Sequence, residues 1–176
     1  EYGMLPGSTS SRNRRESKVG KQTGRTTEIQ RLIGRSLRSV IDLQSLGEKS
    51  IVVDCDVIQA DGGTRTASIT GGFVALSLAI KKYMNSNKSI QNPIKDYVAA
   101  VSCGIVRNEV LVDLDYSEDS IAEVDANFVI TKKSGFSEVQ ATGEENTFNK
   151  NELLEMMEKV ELVSEKIFKI QKDGLE

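Results

Sequence analysis

From about Thr26 the apolar residues Ile29, Leu32, Ile33, Leu37, Val40 and Ile41 recur at helical spacing, which predicts an amphipathic helix. Arg31, Arg35 and Arg38 are spaced by four and three on the opposite face, where a solvated surface is the plain reading. A surface for phosphates or for a neighbouring subunit is the sharper one. Upstream, residues 7–24 are rich in Ser, Thr, Gly, Arg and Lys with almost no apolar residue, as in a loop or a mobile arm. The run Ile51–Ile58 reads as a strand that places Asp54 and Asp56 on one face. A second helix is predicted from about Thr66 to Met84. Ala67, Gly71, Ala75 and Ala79 form a small-residue stripe on it, and Ile69, Phe73, Leu76 and Ile80 supply bulk. A helix apolar around most of its circumference is expected to be central, packed closely against a sheet. Gly71-Gly72 would weaken an exposed helix by roughly 1 kcal/mol per glycine, so close backbone approach is the expected compensation.

Two strand pairs follow, Tyr97–Val106 with Glu109–Asp115 around Arg107-Asn108, and Asn127–Lys132 with Phe136–Ala141 around Ser134-Gly135. The last helix should start near Asn149, with Glu152 three residues on as a capping-box partner. Leu153, Met157, Val160 and Ile167 mark its expected buried face. Helix, strand, helix, four strands and helix make an α+β chain.

Length and composition narrow the chemistry. The 176 residues suit a single domain over 1–176, and 38% hydrophobic with 28% charged residues allow a packed core. No apolar run is long enough to cross a bilayer and no signal peptide is visible. Cys55 and Cys103 lie far apart in apolar stretches, which excludes a disulfide framework and zinc spacing and fits reduced thiols in the cytosol. Histidine is absent, which removes Ser-His-Asp and Cys-His catalysis and leaves oxygen ligands for any metal. The net charge of −3 divides into +6 over residues 1–40 and −9 over the rest. A basic segment on an acidic protein points toward a polyanion partner.

Three places carry candidate chemistry. Asp61-Gly62-Gly63-Thr64-Arg65 joins the predicted strand to the central helix. Glycines there let backbone N–H groups approach an anion, Thr64 adds a hydroxyl, and Arg65 adds a fork suited to phosphate. Ordinary turn chemistry is the alternative, and no Gly-Lys-Ser/Thr follows to make a P-loop. The second place is the stretch from Asp113 to Asp125, with Asp113, Asp115, Glu118, Asp119, Glu123 and Asp125 and no Lys or Arg between Arg107 and Lys132. These are solvated loop acids unless they bridge a cation, and Leu114, Ile121, Ala122 and Val124 suggest that some face inward. The third is Gly24-Arg25-Thr26, with Arg25 just before a helix start.

Tyr2–Pro6, Gly24-Arg25-Thr26-x-Glu28-Ile29-Gln30-Arg31-Leu32-Ile33-Gly34-Arg35, the run Asp54–Gly71 and Asp113-Leu114-x-Tyr116-x-Glu118-Asp119-Ser120 resemble the ribonuclease PH family in order and spacing. The match covers essentially the whole chain. It implies a ribosomal-protein-S5 domain-2-like fold and a homo-hexamer built as a trimer of dimers. It also implies a cytoplasmic phosphorolytic 3′-to-5′ exoribonuclease, a nucleotidyltransferase that trims tRNA precursors and other RNA with inorganic phosphate. By motif, Arg25, Gly63, Thr64 and Arg65 would bind phosphate. Asp119 and Asp125 would be catalytic and hold Mg²⁺, while Arg12 and Arg15 would serve RNA binding and subunit contact. Gly7 stands where many members carry Arg. Glu1–Pro6 reads as the tail of a strand, so the family's first strands are expected to be missing. The rival reading is a non-catalytic RNA-binding ring subunit of an exosome-like assembly.

Overall fold

A computed structural model describes residues 1–87 and 91–176. In chain order the elements are β1 (Tyr2–Met4), α1 (Glu16–Val19), α2 (Gly24–Ser39), α3 (Leu43–Leu46), β2 (Cys55–Val57) and α4 (Thr64–Ser86). Then come β3 (Val98–Val106), β4 (Glu109–Val112), α5 (Tyr116–Asp119), β5 (Val124–Thr131), β6 (Gly135–Gly143) and α6 (Lys150–Leu175). The α+β expectation holds.

An antiparallel sheet in the order β4-β3-β5-β6 is the central layer. Strand side chains alternate between faces, and here both faces are covered. Val98, Ala100 and Val129 join Ile29, Leu32, Ile33, Ile69, Phe73 and Leu76 from α2 and α4. Val101, Cys103, Ile105, Ala126 and Phe128 pack on Met156 and Val160 of α6. This two-sided cover is why β3 is buried at every position and reads as a near-continuous apolar run. Arg107 and Asn108, with φ of 52° and 64°, make the two-residue turn whose twist suits an antiparallel pair. The small parallel pair β1-β2 lies against the helices, where Val53 and Cys55 approach Gly72.

Several expectations shift. The predicted strand over 51–58 shortens to Cys55–Val57, because β1 is its partner in the two-stranded sheet and spans only Tyr2–Met4. Asp54 and Asp56 are both exposed, as the alternation implied. The basic arm is not all loop: the Glu16 carboxylate of α1 accepts from the hydroxyls of Thr23 at 2.9 Å and Thr26 at 2.8 Å. Thr23 in turn caps α2, so the helix begins at Gly24 and Arg25 sits inside its first turn. On α4 the bulky residues face inward, but the small stripe Ala67, Gly71, Ala75 and Ala79 is exposed. Gly72, not Gly71, makes the close approach. The capping box of Asn149 and Glu152 is present on α6, yet the buried face centres on Met156, Val160, Ser164 and Phe168. Leu153, Met157 and Ile167 flank it half-buried.

Both cysteines are free; Cys103 is buried, which pushes its thiol up to about 12, and Cys55 is half-buried. Among the described residues no helix is long and apolar enough to cross a membrane.

One contact ties the loop before α4 to the acidic segment. A Cβ on Gly62 would stand 1.9 Å from the Leu114 carbonyl oxygen. The Asp61 carboxylate accepts from the Tyr116 N–H at 2.6 Å. Gly62→Ala is therefore expected to destabilise the protein by about 3 kcal/mol or more, because backbone must move on both sides. Urea denaturation checks it, and a loss below about 1 kcal/mol would mean that the two segments are free to separate.

Candidate active site

The turn into α4 is built to present N–H groups. Gly63 takes φ of 69° at the N-cap, and no side chain caps the helix. The leading amides of this 23-residue helix are thus free of an internal partner, at the end where the dipole favours an anion. Thr66 steadies the turn by donating its hydroxyl to the Gly63 carbonyl at 2.8 Å. The Thr64 hydroxyl is already engaged with the Tyr2 hydroxyl at 2.9 Å, which links the turn to β1.

The sheet supplies the facing wall. Register pairs Asn127 with Gln140 and Asp125 with Thr142, so these four polar side chains share one face. Glu28 of α2 and Arg65 of α4 close a cleft of about 400 Å³ over them. Arg65 Nη1 lies 3.7 Å from Glu28 Oε2, and Gln140 Nε2 donates to Glu28 Oε1 at 3.4 Å. Burial pushes the Asp125 carboxyl above the ordinary aspartate range, and the neighbouring Asp119 charge pushes it further. Arg65 and the Asn127 side-chain amide act in the opposite direction, the latter through a bond of 3.4 Å.

Asp119 closes the short α5, whose capping box joins Asp115 and Glu118. It is exposed and is felt by Asp125 through its charge. Leu114, Ala122 and Val124 are buried as expected, whereas Ile121 is 51% exposed and turns outward.

Arg65 and Asp125 therefore line one cleft, Gly63 and Thr64 form the helix start that carries Arg65, and the Asp119 charge acts on Asp125. Arg25 lines a groove of about 710 Å³ with Arg14, Arg15 and Tyr2, whose hydroxyl meets that of Thr64, and its Nη1 is 3.7 Å from Met4 Sδ. Arg12 is exposed on the preceding loop. Glu28, Gln140 and the ion pair of Arg35 with Glu138, at 2.6 Å, were not singled out from sequence. Polar Glu138, Gln140 and Thr142 at every second position of β6 are the signal that marks them. Arg35 is thus not merely a solvated charge.

The open start of α4 carries Arg65 into the cleft opposite Asp125, a set of groups that can receive an anion. The chain belongs to the 3′ exoribonuclease family, matching its domain 1 over residues 1–81 and its domain 2 over residues 96–159. It is 53% identical over 175 residues to "Ribonuclease PH" of Cereibacter sphaeroides, covering 99% of this chain and 74% of that relative. It is 54% identical over 176 residues to "Ribonuclease PH" of Bacillus cereus, covering 99% and 72%. The fold is shared with rice (Oryza sativa) Rrp46, at a TM-score of 0.71 and 18% identity over 99% of this chain and 71% of that one. It is shared also with the Archaeoglobus fulgidus exosome with RNA bound to the active site, at a TM-score of 0.67 and 18% identity over 89% and 63%.

Folding raises the proton affinity of Asp125, so at neutral pH its ionised form destabilises the fold, and the penalty fades as pH falls through the raised pKa. Asp125→Asn is expected to raise the melting temperature by about 1–3 °C near neutral pH, with the gain shrinking under acid. A variant that melts below the parent at neutral pH would contradict this.

Proposed function

We propose that the chain is a phosphorolytic 3′-to-5′ exoribonuclease, a phosphate-dependent nucleotidyltransferase that trims tRNA 3′ ends. The observation that carries it is Arg65, at the open start of α4, lining one cleft with Asp125, whose carboxyl feels the charge of Asp119. An oxygen of inorganic phosphate attacks the phosphorus of the last phosphodiester. The bond to the 3′ oxygen of the preceding nucleotide breaks, a nucleoside diphosphate leaves, and the phosphate's proton passes to the new 3′ hydroxyl. Two anions must meet for this, and the α4 amides with Arg65 offset their repulsion. Glu28 holds Arg65 in the cleft until phosphate competes for the guanidinium. No protein nucleophile is needed, which agrees with a chain that has no histidine.

Asp119 and Asp125 fit Mg²⁺. Their charges oppose each other, and this cation commonly takes one or two carboxylates and completes its shell with water and substrate oxygens. Bound there, Mg²⁺ would neutralise charge on the scissile phosphate. The retained Arg65, Asp119 and Asp125 argue against a non-catalytic ring subunit.

Arg25 belongs to this reading through its motif, and in the structure it shares its groove with Arg14 and Arg15. That placement favours a contact with the RNA or with a second subunit beside any part in phosphate binding. Arg12 and Arg15 extend the same basic surface. Assembly as a homo-hexamer, a trimer of dimers, and a cytoplasmic setting complete the proposal.

Phosphate-dependent release of nucleoside diphosphate from a tRNA with extra 3′ nucleotides is the test. Arg65→Ala removes a charge-assisted contact of about 1.5–3 kcal/mol, so apparent phosphate affinity is expected to fall on the order of tenfold to a hundredfold. Asp119→Asn and Asp125→Asn should each lower turnover by about 10²–10³-fold while RNA still binds. Trimming that proceeds equally well without phosphate, yielding monophosphates, would replace this reading with hydrolysis.

A further inference from the structure

We infer that Ser102 is a positioning residue for the phosphate-binding turn, an inference that rests on the phosphorolytic reading above. Ser102 lies within β3 and is 3% exposed. Its Oγ is closed off from solvent and has no hydrogen-bond partner. A Cβ placed on Gly63 would stand 3.2 Å from that Oγ and 3.1 Å from Thr66 Oγ1. Gly63 is thus held between two hydroxyls, and only one of them is used: Thr66 donates to the Gly63 carbonyl. The other belongs to Ser102.

The rest of Ser102 connects the remaining parts of the site. Its carbonyl accepts from the Asp113 N–H at 2.8 Å, where the acidic segment begins with φ of 62°. Across the sheet it pairs with Asn127, which bonds Asp125. One small side chain therefore sets the height of the Gly63–Arg65 turn above the strand that carries Asp125. A buried hydroxyl without a partner is unfavourable unless a partner arrives with the ligand. When phosphate draws the amides of the turn toward itself, the peptide groups beside Gly63 reorient and the Ser102 hydroxyl bonds to them. Ser102 touches neither phosphate nor RNA. It acts through Gly63.

The test varies inorganic phosphate at saturating RNA, and RNA at saturating phosphate, in the full chain. It also measures the rise in melting temperature that inorganic phosphate produces. Ser102→Ala is expected to raise the KM for phosphate about tenfold, with kcat and the KM for RNA within about twofold of the parent. The stabilisation by phosphate should shrink in parallel. Ser102→Cys replaces the hydroxyl with a slightly larger, weak donor and should show the same split, and it carries the test if the alanine variant does not fold. An unchanged phosphate KM and unchanged stabilisation overturn the inference, as does an equal loss of phosphate affinity, RNA affinity and thermal stability. If the parent chain itself releases nucleotides without phosphate, the phosphorolytic reading fails instead.

Discussion

The site depends on where one helix starts over one strand. Helix α4 crosses β3 with Phe73 beside Tyr97, then Thr70 accepting from the Ala100 N–H at 3.0 Å, then Gly63 above Ser102. Along that path the sheet face changes from apolar to polar: Val98 and Ala100 give way to Ser102, and Val129 to Asn127 and Asp125. The polar residues begin where the helix ends, so the leading amides of α4 face them. Moving the start of α4 by one turn would bury those polar groups under an apolar helix or strip cover from Ala100. Packing therefore places the anion-binding end and the carboxylates on the same cleft.

That arrangement stores electrostatic tension. Asp125 is half-buried beside Asp119, and both burial and repulsion favour its protonated form. An ionised carboxylate in such a place destabilises the fold unless a cation or a substrate proton occupies it. Arg65 relieves part of this and is itself shared with Glu28. A site in which each charge has an incomplete partner leaves those charges open to a bound substrate. The same charges fully paired within the protein would be more stable and would leave nothing for substrate.

The basic arm belongs to a different surface. Its anchor is Glu16, whose carboxylate is held below the ordinary range chiefly by the Thr26 hydroxyl. This contact fixes α1 against the start of α2 and leaves Arg14, Arg15 and Arg25 around one groove. Charge is thereby sorted into two places. Arg65 lines the cleft, and Arg25 lines the groove of the arm.

The sequence by itself determined the elements whose signals are local. Periodicity located α2, α4 and α6, the capping box located the start of α6 at Asn149, and Arg107-Asn108 located the tight turn between β3 and β4. It also determined the family, because Asp54–Gly71 and Asp113–Ser120 are long specific runs. What spacing could not reveal was which charges meet. Glu28 with Arg65, Arg35 with Glu138, and Asn127 with Gln140 are joined by packing of distant segments, and no local pattern encodes such distances. Strand length was equally a tertiary matter, since β2 ends where its three-residue partner ends and not where its apolar run does. Only the folded structure set Ser102 beneath Gly63, because that outcome follows from where α4 begins over the sheet.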